Sequence, residues 1–125
     1  ILNERKLTDL ILIGGNYRSI TGAFVGTLTL QNLANLQFSK AFVSCNGIQD
    51  NAIATFSEEE GESQRIALNN SNKKYLLADN SKFNKFDFYT FYNISDIDTI
   101  VSDSKLSKET FEQLSKQTKI ILSKP

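Results

Sequence analysis

The most suggestive chemistry in this 125-residue chain lies in "LLADNSKF", where Asp79 and Lys82 stand three positions apart behind an apolar run. A carboxylate accepts hydrogen bonds from hydroxyl groups and an ammonium holds an anion, so the pair at a strand end could grip a polyol phosphate. The same spacing also makes an ordinary turn, with Asp79 bonding its own backbone and Lys82 in solvent. Spacing alone leaves both readings open.

Other short segments carry compatible groups. "LILIGGNYR" supplies Gly14, Gly15, Tyr17 and Arg18; "FVSCNGI" supplies Asn46 and Gly47; "TIVSDS" supplies Asp103. Glycine-rich backbone amides and one cation suit phosphate, whereas amides and carboxylates suit hydroxyls. Gly14-Gly15 is as readily a tight turn, and it matches neither a Walker A loop nor a dinucleotide fingerprint. Arg18 could equally be a surface residue. The run Glu58-Glu59-Glu60 reads as a solvated helix start, and Glu62, further into the helix, is the better placed of these acids to face a pocket.

Composition removes several classes. With no histidine and one cysteine, the chain holds no internal disulfide and the usual zinc ligand sets cannot be assembled. No metal, cofactor or catalytic residue is assigned. Cys45, inside an apolar run, reads as a small buried thiol. Fourteen basic residues balance fourteen acidic ones, so no net field recruits DNA or an anionic membrane. No apolar run approaches membrane-spanning length, and the sparse cysteine fits a cytoplasmic setting.

The elements that must position these groups alternate. "DLILIGG", "KAFVSCNGI", "KKYLLAD", "FDFYTFYNI", "IDTIVSD" and "KIILS" read as strands. "GAFVGTLTLQNLANL", "SEEEGESQRIALNN" and "SKETFEQLSKQ" read as helices, the second opened by a Ser57–Glu60 capping box. The third is capped by Ser107, with Leu106 and Phe111 at staple spacing. This order predicts one α/β domain over residues 1–125, on a mainly parallel sheet with flanking helices. In such sheets ligands bind outside the carboxyl ends of the strands, which is where the candidate loops fall.

In order and spacing, "LIGGNYRSITGAFVG", "FSKAFVSCNGI", "EEEGESQRIALNNS", "KYLLADNSKF" and "DIDTIVSD" resemble the sugar-phosphate-sensing domain of DeoR-family transcriptional repressors. "EGESQ" and "DFYTFYNI" look most like the lactose phosphotransferase repressors, which respond to tagatose 6-phosphate. The resemblance implies a fold related to ribose-5-phosphate isomerase and glucosamine-6-phosphate deaminase, turned from catalysis to sensing. It implies that Gly14, Gly15, Tyr17 and Arg18 form one wall of an effector site, with Gly26 letting the next helix approach. It adds Asn46, Gly47, Glu62, Asp79, Lys82 and Asp103 to that site. Gln64 stands where many members carry a lysine. The family's N-terminal helix-turn-helix, and its first strand with a Gly- and Thr-rich phosphate loop, are not found in the 125 residues. The opening "ILNERKLTDL" reads as the middle of a longer protein. The expected partners are therefore a phosphorylated sugar, DNA through a domain outside this chain, no membrane, and a second copy in a homo-oligomer. Two other readings share the fold: a sugar-phosphate isomerase or deaminase with Asp79 or Glu62 as general base, and a dimerisation domain with a vestigial pocket.

Overall fold

Short apolar segments and side-chain-capped helices fold as an α/β unit in the computed structural model, which describes residues 9–124. From the amino terminus the elements run β1 (Asn16–Arg18), β2 (Ala23–Val25), α1 (Thr27–Ala34), β3 (Phe38–Ser44), β4 (Gly47–Gln49), β5 (Ala52–Thr55) and α2 (Glu58–Asn69). They continue with β6 (Ser71–Leu77), β7 (Tyr89–Asn93), β8 (Thr99–Ser102), α3 (Lys108–Ser115) and β9 (Lys119–Leu122). Short 3-10 turns lie at Asn80–Lys82 and Ile94–Asp96.

The principal sheet is parallel throughout, in the order β3-β6-β8-β9. Val43, Leu76, Ile100 and Ile120 form one rung across it, and Leu76 and Ile100 have no exposed surface. With Leu68 of α2 and Leu114 of α3 they build the core, as alternation in a strand requires. The next rung points to the opposite face and carries Leu77, Val101 and Ile121. Phe42 and Tyr75 lie on that face too, with stacked rings 4.7 Å apart. Among the described residues this second face is poorly covered: Phe42 is 60% exposed, Leu77 42% and Ile121 44%.

Three expectations change. Residues 9–15 form no strand, and Leu10, Ile11 and Leu12 are exposed: the segment does not pair with the outer edge of β3 or β9, neither of which a described strand occupies. The segment read as one long helix from Gly22 begins as β2, which pairs with β1 in a hairpin. Its helix starts only after Gly26, whose φ of 95° suits glycine and ends the strand. The aromatic segment at 86–94 yields a strand only over Tyr89–Asn93, and this strand joins a separate antiparallel sheet, β4-β5-β7. The two helix caps hold. Ser57 accepts from the Glu60 amide at 3.3 Å and Ser107 from the Thr110 amide at 3.2 Å. Glu60 completes only half a capping box, because its Oε2 accepts from the Ser57 hydroxyl at 3.1 Å and not from a backbone amide.

Candidate functional site

The carboxyl ends of β3, β6 and β8 bring Asn46, Asp79, Lys82 and Asp103 to one edge of the sheet. The two carboxylates there are occupied by the loops that carry them. Asp79 caps the 3-10 turn, its Oδ1 accepting from the Ser81 amide at 2.8 Å and from the Ser81 hydroxyl. Asp103 accepts from the Asn80 amide at 2.8 Å, from the Asn80 side chain, and from the Lys105 amide at 2.8 Å. Asp103 thereby ties the loop after β6 to the loop after β8.

These bonds stabilise the ionised acids and hold both below the ordinary 3.8: Asp79 through the Ser81 hydroxyl and amide, Asp103 through the Asn80 side chain and amide. A carboxylate whose folded value is depressed contributes stability above its unfolded value and loses it as pH falls through the folded one. The two loops are therefore expected to stay tied above about pH 4 and to loosen only below it. Carboxyl carbon NMR titration of the folded protein checks this. Midpoints below 3.8 for both residues are expected, and midpoints at or above 3.8 would contradict the tie.

Lys82 differs. It is half-buried, and among the described residues no carboxylate forms a salt bridge with it. It lies close enough to Cys45, at the end of β3, for its charge to act on the thiol. Burial outweighs that attraction and pushes the Cys45 thiol up to about 12. The thiol stays protonated at neutral pH, as its reading as a small buried apolar group requires. Labelling by a disulfide reagent at pH 8 is expected to be at least tenfold slower in the native than in the denatured protein, since the thiolate is the nucleophile.

Beside Cys45, its chain neighbours Ser44 and Asn46 open onto a cavity of about 530 Å³. Thr55 and Phe56 at the end of β5 form its floor, and Glu60, Ser63 and Gln64 enter from α2. Thr21, Ala23 and Phe24 of the hairpin region close the remaining side. The spacing 60, 63, 64 puts those three on one face of the helix. Gly61 faces the other way, where an added Cβ would lie 2.6 Å from the Tyr89 ring.

Of the residues that the sequence assigned to the effector site, only Asn46 lines this cavity. Arg18 stands at its margin, with its guanidinium 5.8 Å from the Phe56 ring and 2.6 Å from Glu59. Tyr17 is exposed and packs on Phe24, ring centroids 5.5 Å apart. The Gly14 carbonyl accepts from Thr29 at 2.9 Å, and a Cβ on Gly15 would meet the Thr29 hydroxyl at 1.8 Å, so this glycine pair packs against α1. Gly47 is buried beneath the backbone of Lys85. Glu62 turns from the cavity, accepts from the Tyr89 hydroxyl and lies 3.5 Å from Arg65. Sequence reasoning does not assign Glu60, Ser63 or Gln64 to the site: Glu60 reads as part of a solvated, capped helix start, and Gln64 stands where many family members carry a lysine. Their i, i+3, i+4 spacing was legible, but which helix face meets the sheet edge depends on Gly61 packing against β7.

A cavity of hydroxyls, amides and, among the described residues, one carboxylate, at the carboxyl edge of a parallel sheet whose loops also carry a lysine paired with no described carboxylate, is the equipment of a small-molecule-binding α/β domain. The family model described as "DeoR C terminal sensor domain" matches residues 1–104, and the chain belongs to this family. It is a sensor domain of transcription regulators and not an enzyme. Over 121 residues it is 47% identical to the lactose phosphotransferase system repressor of Lactococcus lactis subsp. lactis, covering 97% of this chain and 48% of that protein. The repressor of the same name from Streptococcus mutans serotype c is 41% identical over 110 residues, 88% of this chain and 43% of that one. That from Staphylococcus aureus strain NCTC 8325 / PS 47 is 40% identical over 105 residues, 82% and 42% of the two chains. The chain thus spans about half the length of the curated relatives it matches. Among the described residues no helix is long and apolar enough to cross a membrane.

Proposed function

We propose that this chain is the effector-binding domain of a DeoR-type repressor of lactose, galactose or tagatose metabolism. It binds a phosphorylated sugar such as tagatose 6-phosphate and thereby controls DNA binding by the intact protein. The observation that carries this reading is the hydroxyl- and amide-lined cavity at the carboxyl edge of the sheet, with Lys82, unpaired by any described carboxylate, in the turn after β6 at that same edge. Phosphate needs a cation or a set of amides, and sugar hydroxyls need paired donors and acceptors; both kinds of group converge here. Family membership and relatives named as lactose phosphotransferase system repressors support the same conclusion.

The intact protein completes the domain. The outer edge of β3 pairs with no described strand, and the face bearing Phe42, Leu77 and Ile121 is poorly covered. Parallel sheets are normally covered on both faces. A preceding segment adds a strand beside β3, with a Gly- and Thr-rich phosphate loop, and shields that face. The result is an arrangement related to ribose-5-phosphate isomerase and glucosamine-6-phosphate deaminase. A helix-turn-helix further upstream reads DNA, and copies associate.

An effector changes DNA affinity only if it binds the two states of the repressor unequally. Calorimetric titration of the full-length protein with tagatose 6-phosphate is expected to show saturable binding, and operator affinity measured by anisotropy is expected to change on its addition. Absence of both responses across ketose and aldose phosphates would contradict the reading.

A further inference from the structure

We infer that the cavity between β3, β5 and α2 receives the uncharged, hydroxyl-bearing end of the sugar phosphate, read by Gln64 and Glu60, while the phosphate stays outside it. This deepens the sensor reading and rests on it.

Among the described residues the lining carries no lysine or arginine, and its one charged group is Glu60, a carboxylate that would repel a phosphate dianion inside a partly desolvated space. Phosphate therefore has no favourable seat there, whereas hydroxyls have several. One Glu60 oxygen accepts from the Ser57 hydroxyl, which fixes the side chain and leaves its other oxygen without a described partner. One helical turn on, Gln64 has its Oε1 buried with no hydrogen-bond partner. A buried acceptor without a donor costs stability, and native structures seldom keep one without a reason. A ligand hydroxyl entering the cavity meets the Gln64 side chain, which lines it, and can reach the free Glu60 oxygen as well. Ser44, Ser63 and Thr55 add hydroxyls that donate or accept as the ligand requires. Lys82 lies outside this lining, in the turn after β6 at the same carboxyl edge, and is the cation offered to a phosphate that projects from the cavity.

Two variants of the full-length protein test the assignment, with tagatose 6-phosphate as the probe. Gln64→Leu keeps the volume and removes the acceptor. It is expected to weaken binding roughly tenfold or more, while the melting temperature without sugar holds or rises because an unpaired buried acceptor is gone. Glu60→Gln removes the charge, and its affinity is expected to stay level or fall. Wild-type affinity in Gln64→Leu would overturn the inference. So would a several-fold gain in Glu60→Gln, because relief of repulsion would place the phosphate inside the cavity. A wild-type protein that binds no sugar phosphate would overturn the sensor reading itself, and this inference with it. Binding that ignores both substitutions removes only the cavity assignment.

Discussion

Lys82→Ala in the full-length protein is expected to weaken tagatose 6-phosphate binding by roughly ten- to a hundredfold, about 1.5–3 kcal/mol for one hydrogen bond to a charged group. The structure gives the reason. The Lys82 ammonium forms no salt bridge with any described carboxylate, and Asp79, its nearest acidic neighbour in sequence, spends its Oδ1 on Ser81. A lysine engaged in structural pairing would lower the melting temperature when removed; this one is expected to leave it within about a degree, as surface substitutions do. Lys82→Arg is expected to recover part of the affinity, since charge is kept while the guanidinium geometry differs. Calorimetry and thermal melts on the three proteins separate binding from folding. Equal affinity in Lys82→Ala and wild type would remove Lys82 from the site.

Gly47→Ala is expected to destabilise the domain by about 1–3 kcal/mol, the usual range for overpacking, and to lower the melting temperature by several degrees. A Cβ at this position would lie 2.6 Å from the Lys85 carbonyl oxygen and 3.2 Å from the carbonyl carbons of Lys85 and Phe86. These are backbone atoms, so no rotamer change relieves the contact. The strand cannot retreat either, because the Lys85 amide donates to the Ile48 carbonyl at 3.2 Å and Ile48 pairs with Phe83. The segment held over Gly47 follows the 3-10 turn that contains Lys82, so the same substitution is expected to weaken effector binding. An unchanged melting temperature would mean that residues 84–88 move aside freely.

Those two positions show how far the sequence could be read. Strand periodicity identified β3, β6, β8 and β9 because each is a short apolar run closed by polar residues, the mark of a buried parallel strand. Helices α2 and α3 were legible from Ser57 and Ser107, whose caps the structure contains. The β4–β5 hairpin escaped notice. Its strands are built from Gly, Ala and Ile and give little alternation, although Asp50-Asn51 between them was a usable turn signal. "DLILIGG" failed for a different reason: an apolar run has the composition of a buried strand, but periodicity does not decide whether the segment pairs with an edge that is free.

For the site, the rule that ligands meet the carboxyl ends of parallel strands led to the edge where the cavity lies and to Asn46, yet not to the helix face that lines it. Glu62 drew attention as the acid further into the helix, but Gly61 packs against Tyr89 and Phe91 and turns Glu62 away from the cavity, leaving Glu60 and Gln64 inside it. Asp-x-x-Lys was ambiguous because its two halves do different things. Asp79 shapes the turn, and Lys82 forms no salt bridge with any described carboxylate.

The most direct measurement is a crystal structure of the full-length protein with tagatose 6-phosphate. Sugar hydroxyls are expected within hydrogen-bonding distance, about 2.7–3.2 Å, of the Gln64 side-chain amide and a Glu60 oxygen, with a phosphate oxygen equally near the Lys82 ammonium. A ligand bound away from the carboxyl edge of the parallel sheet, or one whose phosphate lies against Glu60, would contradict this placement.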